Sequence, residues 1–252
     1  MKEILANDPY THNAYIRDIV NCFEILNQNV ELTDYTLTIM GLTCFFEDRI
    51  SSPEGCKLDN VPSTLPWDKE FYEEQTPVKI YTKNNLPKGF KKFQEKCEEK
   101  NLFLSEINYK ITIQEYAPKV FQHIRNIDTI QNNIIKLSID PKKTIDHLTH
   151  LREMCVNGGN SGNLVIYTYD HKFLVKTIST EELETFVEFL PQYHKIMRSF
   201  KTLLCRIYGL YKIQIQDKNP SYIIIMKNML DLTQEVNKLI IIIYRVKLQL
   251  LT

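Results

Sequence analysis

The sequence lacks an excess of charge of either sign. Its 31 basic and 31 acidic side chains give a formal net charge of zero over 252 residues, so no global field attracts the chain to nucleic acid. The six cysteines are scattered without a CxxC pair, the six histidines show no HExxH-like spacing, and the first residues do not resemble a secretory leader. These absences predict reduced thiols in the cytoplasm, no nucleic-acid partner and no metal site made by protein ligands alone.

Long apolar runs are scarce as well. The most apolar stretch, residues 239–251, contains Arg245 and Lys247, whereas a membrane-crossing helix needs about 20 mostly apolar residues. We therefore expect no membrane span. We interpret residues 231–252 as an atypical apolar tail left by truncation of a longer reading frame; a replacement strand and a short interfacial or partner helix are the alternatives.

Glycine is rare, with 7 in the whole chain, yet three of them fall within residues 158–162. Such a cluster indicates a backbone that needs conformations other side chains forbid. Residues 164–169 and 173–178 are rich in β-branched and aromatic side chains and predict two strands, joined by a polar turn at 170–172. This order of glycine cluster, strand, turn and strand predicts an antiparallel meander that begins at a glycine-rich loop. The simpler interpretation of the glycines is a plain hairpin turn.

Lys176 lies in the second of these strands, on the face of Leu174 and opposite Val175. A lysine in a strand otherwise built for burial is costly unless it meets an anion. An ATP phosphate beneath a glycine-rich hairpin would supply that anion. The alternative is an ordinary solvated lysine.

A helix is predicted to follow this strand. Ser179 and Glu182 have the spacing of a capping box, apolar residues recur at helical spacing from Leu183 to Leu190, and Pro191 is expected to end the pattern. Two more strands are predicted at 205–215 and 222–226, separated by a turn at 217–220. The carboxylates that could pair with Lys176, as a helix glutamate pairs with a strand lysine in protein kinases, are Glu181, Glu182, Glu184 and Glu188.

Several of these blocks resemble the amino-terminal lobe of phosphatidylinositol phosphate kinases, in the same order. They are residues 160–162, 168–179, 181–183, 190–193, 208–211 and 224–228, and residues 113–125 resemble the tyrosine-x-proline helix that begins the family's domain. The resemblance implies an α+β fold, a kinase-type small lobe whose twisted antiparallel sheet of about five strands has flanking helices. In that lobe Pro118 suits a first helical turn, and Val120, Phe121 and Ile124 should pack inward.

The resemblance further implies transfer of a phosphoryl group from ATP, with Mg²⁺, to an inositol lipid at a membrane surface, to which the protein would be peripheral. By motif, it matches Lys176 to the ATP-contacting lysine, Gly159, Ser161 and Gly162 to the nucleotide-covering loop, and Met226, Lys227 and Asn228 to the hinge that meets adenine. After Leu230 the family's catalytic and magnesium-binding aspartates find no match. We therefore assign no catalytic residue and expect a truncated, catalytically incomplete kinase. The alternative is a non-catalytic interaction module that forms a homodimer or pairs with a parent kinase.

The remaining sequence predicts the organisation around this lobe. Residues 35–46 are apolar enough for a strand or a buried helix, a strand is expected at 78–81, and Trp67 is a possible anchor onto a neighbouring surface. The predicted units are a small helical segment at 1–50, a proline-rich, loop-rich linker at 51–105, the lobe at 106–230 and the apolar tail at 231–252.

Overall fold

The computed structural model describes residues 30–53, 67–88, 91, 108–139, 165–168, 170–199 and 202–229. Three predicted site residues, Gly159, Ser161 and Gly162, lie outside these ranges, as does the predicted apolar tail. The features below belong to the described part of the chain.

The centre of the fold is an antiparallel sheet of six strands in the order β1-β2-β5-β6-β4-β3. The strands are β1 Lys79–Thr82, β2 Lys110–Glu115, β3 Val165–Tyr167, β4 Phe173–Ile178, β5 Ile207–Ile215 and β6 Ser221–Lys227. The predicted α+β class and the predicted strands are confirmed. The sheet has one strand more than the five expected for the lobe, because β1 pairs with β2 and extends its edge.

The described part of the chain also forms helices. They are α1 Val30–Ser51, α2 Lys69–Glu73, α3 Pro118–Ile127, α4 Asn132–Ile139 and α5 Thr180–Met197. The stretch predicted as a strand or a buried helix is a helix, since it lies within α1.

Helix α1 packs against one face of the sheet. Gly41 is placed so that an added Cβ would lie 2.7 Å from Cγ2 of Ile111, so only glycine permits this close approach of helix to strand. Further along α1, the ring of Phe45 meets the ring of Tyr211 edge-on at 5.7 Å. Because these contacts join α1 to both β2 and β5, the helix and the sheet share one hydrophobic core.

Helix α3 starts as the sequence predicts. Pro118 occupies the first turn, where its missing N–H costs nothing, and the preceding Ala117 is in the left-handed region with φ 43°. The predicted inward residues Val120, Phe121 and Ile124 are fully buried.

Helix α5 begins with the predicted capping box but does not end at Pro191. The N–H of Glu182 donates to Ser179 Oγ at 3.1 Å, and the N–H of Ser179 donates to Glu182 Oε2 at 2.8 Å. The helix then continues through Pro191 to Met197, so the predicted stop is wrong. The reason is tertiary: Tyr193 and Met197 extend the buried face, and that burial outweighs the single backbone hydrogen bond that proline cannot make.

Candidate functional site

The ion pair between β4 and α5 is the centre of the candidate site. Lys176 Nζ lies 3.3 Å from Glu182 Oε1, and the lysine side chain is 30% exposed. Glu182 is held by the helix cap, since its other oxygen accepts the N–H of Ser179. Of the four glutamates that the sequence left open, the structure therefore brings Glu182 to Lys176. A cap residue is a rigid support for the lysine because its own rotamer is fixed by the backbone.

A row of apolar side chains crosses the sheet beside this pair. Strand register places Tyr167 opposite Leu174, Leu174 opposite Met226, and Met226 opposite Ile207. All four residues are half-buried, and cross-strand neighbours lie about 5 Å apart. Leu174 is two residues before Lys176, so the apolar row and the lysine are on one face of the sheet. The predicted site residue Met226 is part of this row.

The predicted hinge residue Asn228 supports the turn between β3 and β4. Its side chain is almost fully buried, and Nδ2 donates to the carbonyl oxygen of His171 at 2.6 Å. Its backbone N–H donates to the carbonyl oxygen of Lys172 at 2.9 Å. Asn228 thereby fixes the end of β6 to the hairpin that precedes the lysine strand, while its contact with adenine stays a prediction.

The β3–β4 turn contains an aspartate that the sequence reasoning missed. Asp170 accepts hydrogen bonds from Ser138 Oγ at 2.7 Å and from Thr168 Oγ1 at 2.8 Å. Burial alone would raise the pKa of Asp170, but the hydrogen bonds from Ser138, Thr168 and Lys172 together outweigh it and hold the pKa below its ordinary value. Thr168 and Asp170 form a local turn motif visible in the sequence, whereas the bond from α4 is visible only in the fold.

Two further features matter in the described residues: metal-binding clusters and membrane-spanning helices. Among them, no group of three or more histidine, cysteine, aspartate or glutamate side chains is placed to hold a metal ion. No helix in the part of the chain covered by the structure is long and apolar enough to cross a membrane.

Comparison with known proteins shows what this region is similar to. The family model described as phosphatidylinositol-4-phosphate 5-kinase matches residues 146–240. Residues 146–240 are thus similar to the phosphatidylinositol phosphate kinase family. The match contains β3 through β6 and α5, and therefore contains both members of the Lys176–Glu182 pair.

Curated relatives agree with this family. The chain is 28% identical over 145 residues to a phosphatidylinositol 4-phosphate 5-kinase of Plasmodium falciparum, covering 53% of this chain and 8% of the relative. It is 26% identical over 117 residues to phosphatidylinositol 4-phosphate 5-kinase 9 of Arabidopsis thaliana, covering 46% of this chain and 14% of the relative. It is 27% identical over 158 residues to phosphatidylinositol 5-phosphate 4-kinase type-2 gamma of Xenopus tropicalis, covering 62% of this chain and 34% of the relative. The chain thus spans no more than about a third of the length of these relatives.

Proposed function

We propose that this chain binds ATP as the small lobe of a phosphoinositide kinase. Lys176 would contact the ATP phosphates, and the row of Tyr167, Leu174, Met226 and Ile207 would receive the adenine ring. The observation that carries this proposal is the Lys176–Glu182 pair at 3.3 Å, fixed by the cap of α5 and adjacent to an apolar row. The relatives named above are kinases of phosphatidylinositol phosphates, which makes a phosphoinositide the proposed phosphate acceptor.

The chemistry of these side chains fits a nucleotide. The two faces of the adenine ring are flat and apolar, and a half-buried apolar row offers them contact area. A triphosphate needs positive charge, which Lys176 supplies while remaining partly exposed. Glu182 would keep the lysine side chain extended, so less rotamer freedom is lost when phosphate binds.

Mg²⁺ fits the described residues less well. Glu182 is the carboxylate next to Lys176, and it already contacts both Lys176 and the N–H of Ser179. Since hard cations need several oxygen ligands, the described side chains of this site do not make a magnesium site. The proposed role of the lobe is therefore to bind and orient the nucleotide.

The test is ATP binding to the purified chain, measured by isothermal titration calorimetry with and without Mg²⁺. We expect saturable binding, and Lys176→Ala should weaken it at least about tenfold, the scale of one charge-assisted hydrogen bond. Glu182→Gln keeps an oxygen that can accept from Ser179 but loses the charge, and it should weaken binding less. The matched control is Lys172→Ala, which removes an exposed lysine of the adjacent turn whose partner is Asp170 and should leave ATP affinity unchanged.

Two results would contradict the proposal. One is an absence of ATP binding by the unaltered chain, and the other is equal affinity in Lys176→Ala. Failure to bind ATP together with a mass that rises with concentration in light scattering would favour the interaction module instead. The sheet offers a surface for that alternative at its edge strand β1. Ile80 of this strand is 45% exposed, and Val78, just before it, is 55% exposed.

A further inference from the structure

Residues 67–76, which include α2, connect α5 to α3 and to the end of β2, and we call them the strap. At one end of the strap, the ring of Trp67 lies 4.4 Å from the ring of His194 of α5 and 4.8 Å from the ring of His123 of α3. The hydroxyl of Tyr72 lies 3.1 Å from Nδ1 of the same His194. Two aromatic side chains of the strap therefore contact one residue of α5.

The other end of the strap is fixed to β2 and to the start of α3. The N–H of Thr76 donates to the carbonyl oxygen of Glu115 at 2.9 Å, and the N–H of Ala117 donates to the carbonyl oxygen of Glu74 at 2.7 Å. Glu74 also forms an ion pair with Lys119, with 3.1 Å between Oε2 and Nζ. Because these bonds involve β2 and α3 and not α5, this end would stay attached if the contacts to α5 were lost.

The part of the strap that contacts α5 is not stable by itself. Helix α2 has five residues, none of them buried, and Asp68 at its N-cap makes no side-chain hydrogen bond to the helix. A helix this short does not form in water without tertiary support, and segments with few buried apolar contacts open at a low cost in free energy. Docking of this part onto α5 therefore depends on the rings of Trp67 and Tyr72.

Helix α5 connects the docked strap to the candidate site. Glu182 lies in the first turn of α5 and His194 in its last turn, and these positions are about 18 Å apart along the axis at 1.5 Å per residue. Between them, the ring of Phe186 stacks on the ring of Phe121 of α3 at 6.4 Å, and Leu190 is fully buried. Since a helix with a packed face shifts as a rigid element, displacement of its last turn also moves the capped turn that contains Glu182.

We propose that Trp67 and Tyr72 are positioning residues for ATP binding. Docking of the strap on His194 holds α5 where Glu182 contacts Lys176, and release of the strap lets the first turn of α5 move away from the lysine. The inference rests on the proposed ATP site and adds to it, because the segment predicted as a linker then contributes to nucleotide affinity. The strap contacts the last turn of α5 and the ion pair involves the first turn, so the strap acts on ATP through the helix.

The experiment is a thermodynamic cycle on ATP affinity, measured by isothermal titration calorimetry for Trp67→Ala, Glu182→Gln and the double variant. Trp67→Ala should weaken ATP binding about threefold or more, and it should have no further effect when Glu182→Gln is already present. A loss caused by general destabilisation would instead be the same in both backgrounds. Circular dichroism of each variant checks that ATP is added to folded protein.

Conservative variants separate the ring contacts from the rest of the fold. Trp67→Phe keeps an aromatic ring beside His194, so it should bind ATP within about twofold of the unaltered protein. Tyr72→Phe removes only the hydroxyl that contacts His194, and it should weaken ATP binding about twofold. The matched control is Tyr81→Phe, which removes a hydroxyl that donates to Asp48 Oδ2 of α1 at 2.9 Å and should leave ATP affinity unchanged.

The outcomes distinguish this inference from the proposed function. If the unaltered protein binds ATP and Trp67→Ala binds it equally well, the positioning role is wrong and the ATP site stands. An equal loss in both backgrounds would also overturn the positioning role, because the strap would then not act through Glu182. Absence of ATP binding by the unaltered protein would overturn both proposals. If Trp67→Ala does not fold, equal ATP affinities of Tyr72→Phe and Tyr81→Phe would exclude the role.

Discussion

Acidification should weaken a buried histidine contact that joins three helices. His194 of α5 is fully buried, its Nε2 lies 2.8 Å from His123 Nδ1 of α3, and its Nδ1 lies 3.1 Å from the hydroxyl of Tyr72 of α2. Trp67 covers the pair, with its ring stacked 4.8 Å from the ring of His123. No carboxylate is among these partners. The nearby charge that acts on both histidines is the guanidinium of Arg198, which disfavours a second positive charge.

The size of the effect follows from the pKa of His194. Burial above all, together with His123 and Arg198, lowers the pKa of His194 to about 3, against 6.5 in the unfolded chain. The neutral form is thus favoured in the folded state, so the stability it contributes is complete above pH 6.5 and is lost progressively as the pH falls from there to the folded pKa of about 3. Between pH 7.5 and 5, the unfolded chain gains this proton and the folded chain does not, which costs about 2 kcal/mol. Burial also lowers the pKa of His123, and that shift acts in the same direction.

The assay is urea unfolding followed by circular dichroism at pH 7.5 and pH 5. His194→Gln retains an amide that can bond to a neighbour but does not titrate, so we expect the loss of unfolding free energy on acidification to be about 2 kcal/mol smaller than in the unaltered protein. The comparison uses the difference between the two pH values, which cancels any change in stability caused by the substitution itself. The control is His171→Asn, an exposed turn position with φ 56°, a conformation that asparagine accepts.

An equal loss of stability on acidification in His194→Gln and the unaltered protein would contradict a lowered pKa of His194. A nuclear magnetic resonance titration in which the His194 ring gained its proton near pH 6.5 in the folded state would contradict it as well. The first result would show that the buried ring does not resist protonation, and the second would measure that directly.

Two further predictions concern the backbone. Gly209→Ala should destabilise the fold by about 1–3 kcal/mol in urea unfolding, because an added Cβ would lie 2.6 Å from Cζ of the buried Tyr211 ring; a change within 0.3 kcal/mol would contradict this close contact. Pro191→Ala should stabilise α5 by about 1–3 kcal/mol, since it restores an N–H to the helix interior. Glu188→Ala, at an exposed position of the same helix, is the control for helix propensity, and an equal gain there would exclude the proline explanation.

Local patterns in the sequence were sufficient for most of the lobe. The capping box at Ser179 and Glu182 and the alternation around Lys176 were both visible, because each depends on neighbours within a few residues. The inward face of α3 was also predictable from helical spacing. The assignment of Glu182 to Lys176 was not, since helix geometry left four glutamates possible and only the folded position of α5 brings one of them to the lysine. The domain boundaries at residues 50, 105 and 230 remain predictions.

Local sequence patterns gave the wrong structure, or none, where contacts between distant parts of the chain determine it. Pro191 predicted a helix end, but the contacts of Tyr193 with the segment before β5, including its hydroxyl bond to the carbonyl oxygen of Cys205 at 2.8 Å, keep the last turns in place. The same holds for Trp67, which the sequence marked only as a possible anchor and which packs on two histidines far along the chain.

By itself the sequence determined the fold class, the lysine strand with its capped helix, and the resemblance to phosphatidylinositol phosphate kinases. It could do so because strand alternation, helical spacing and caps are set by bonds between near neighbours. Only the tertiary structure decided that β6 lies between β4 and β5, that His123 meets His194, and that Arg49 and Arg125 converge on Glu115. These arrangements depend on how separate elements bury their apolar faces together, and residue spacing along the chain does not encode the resulting distances between side chains.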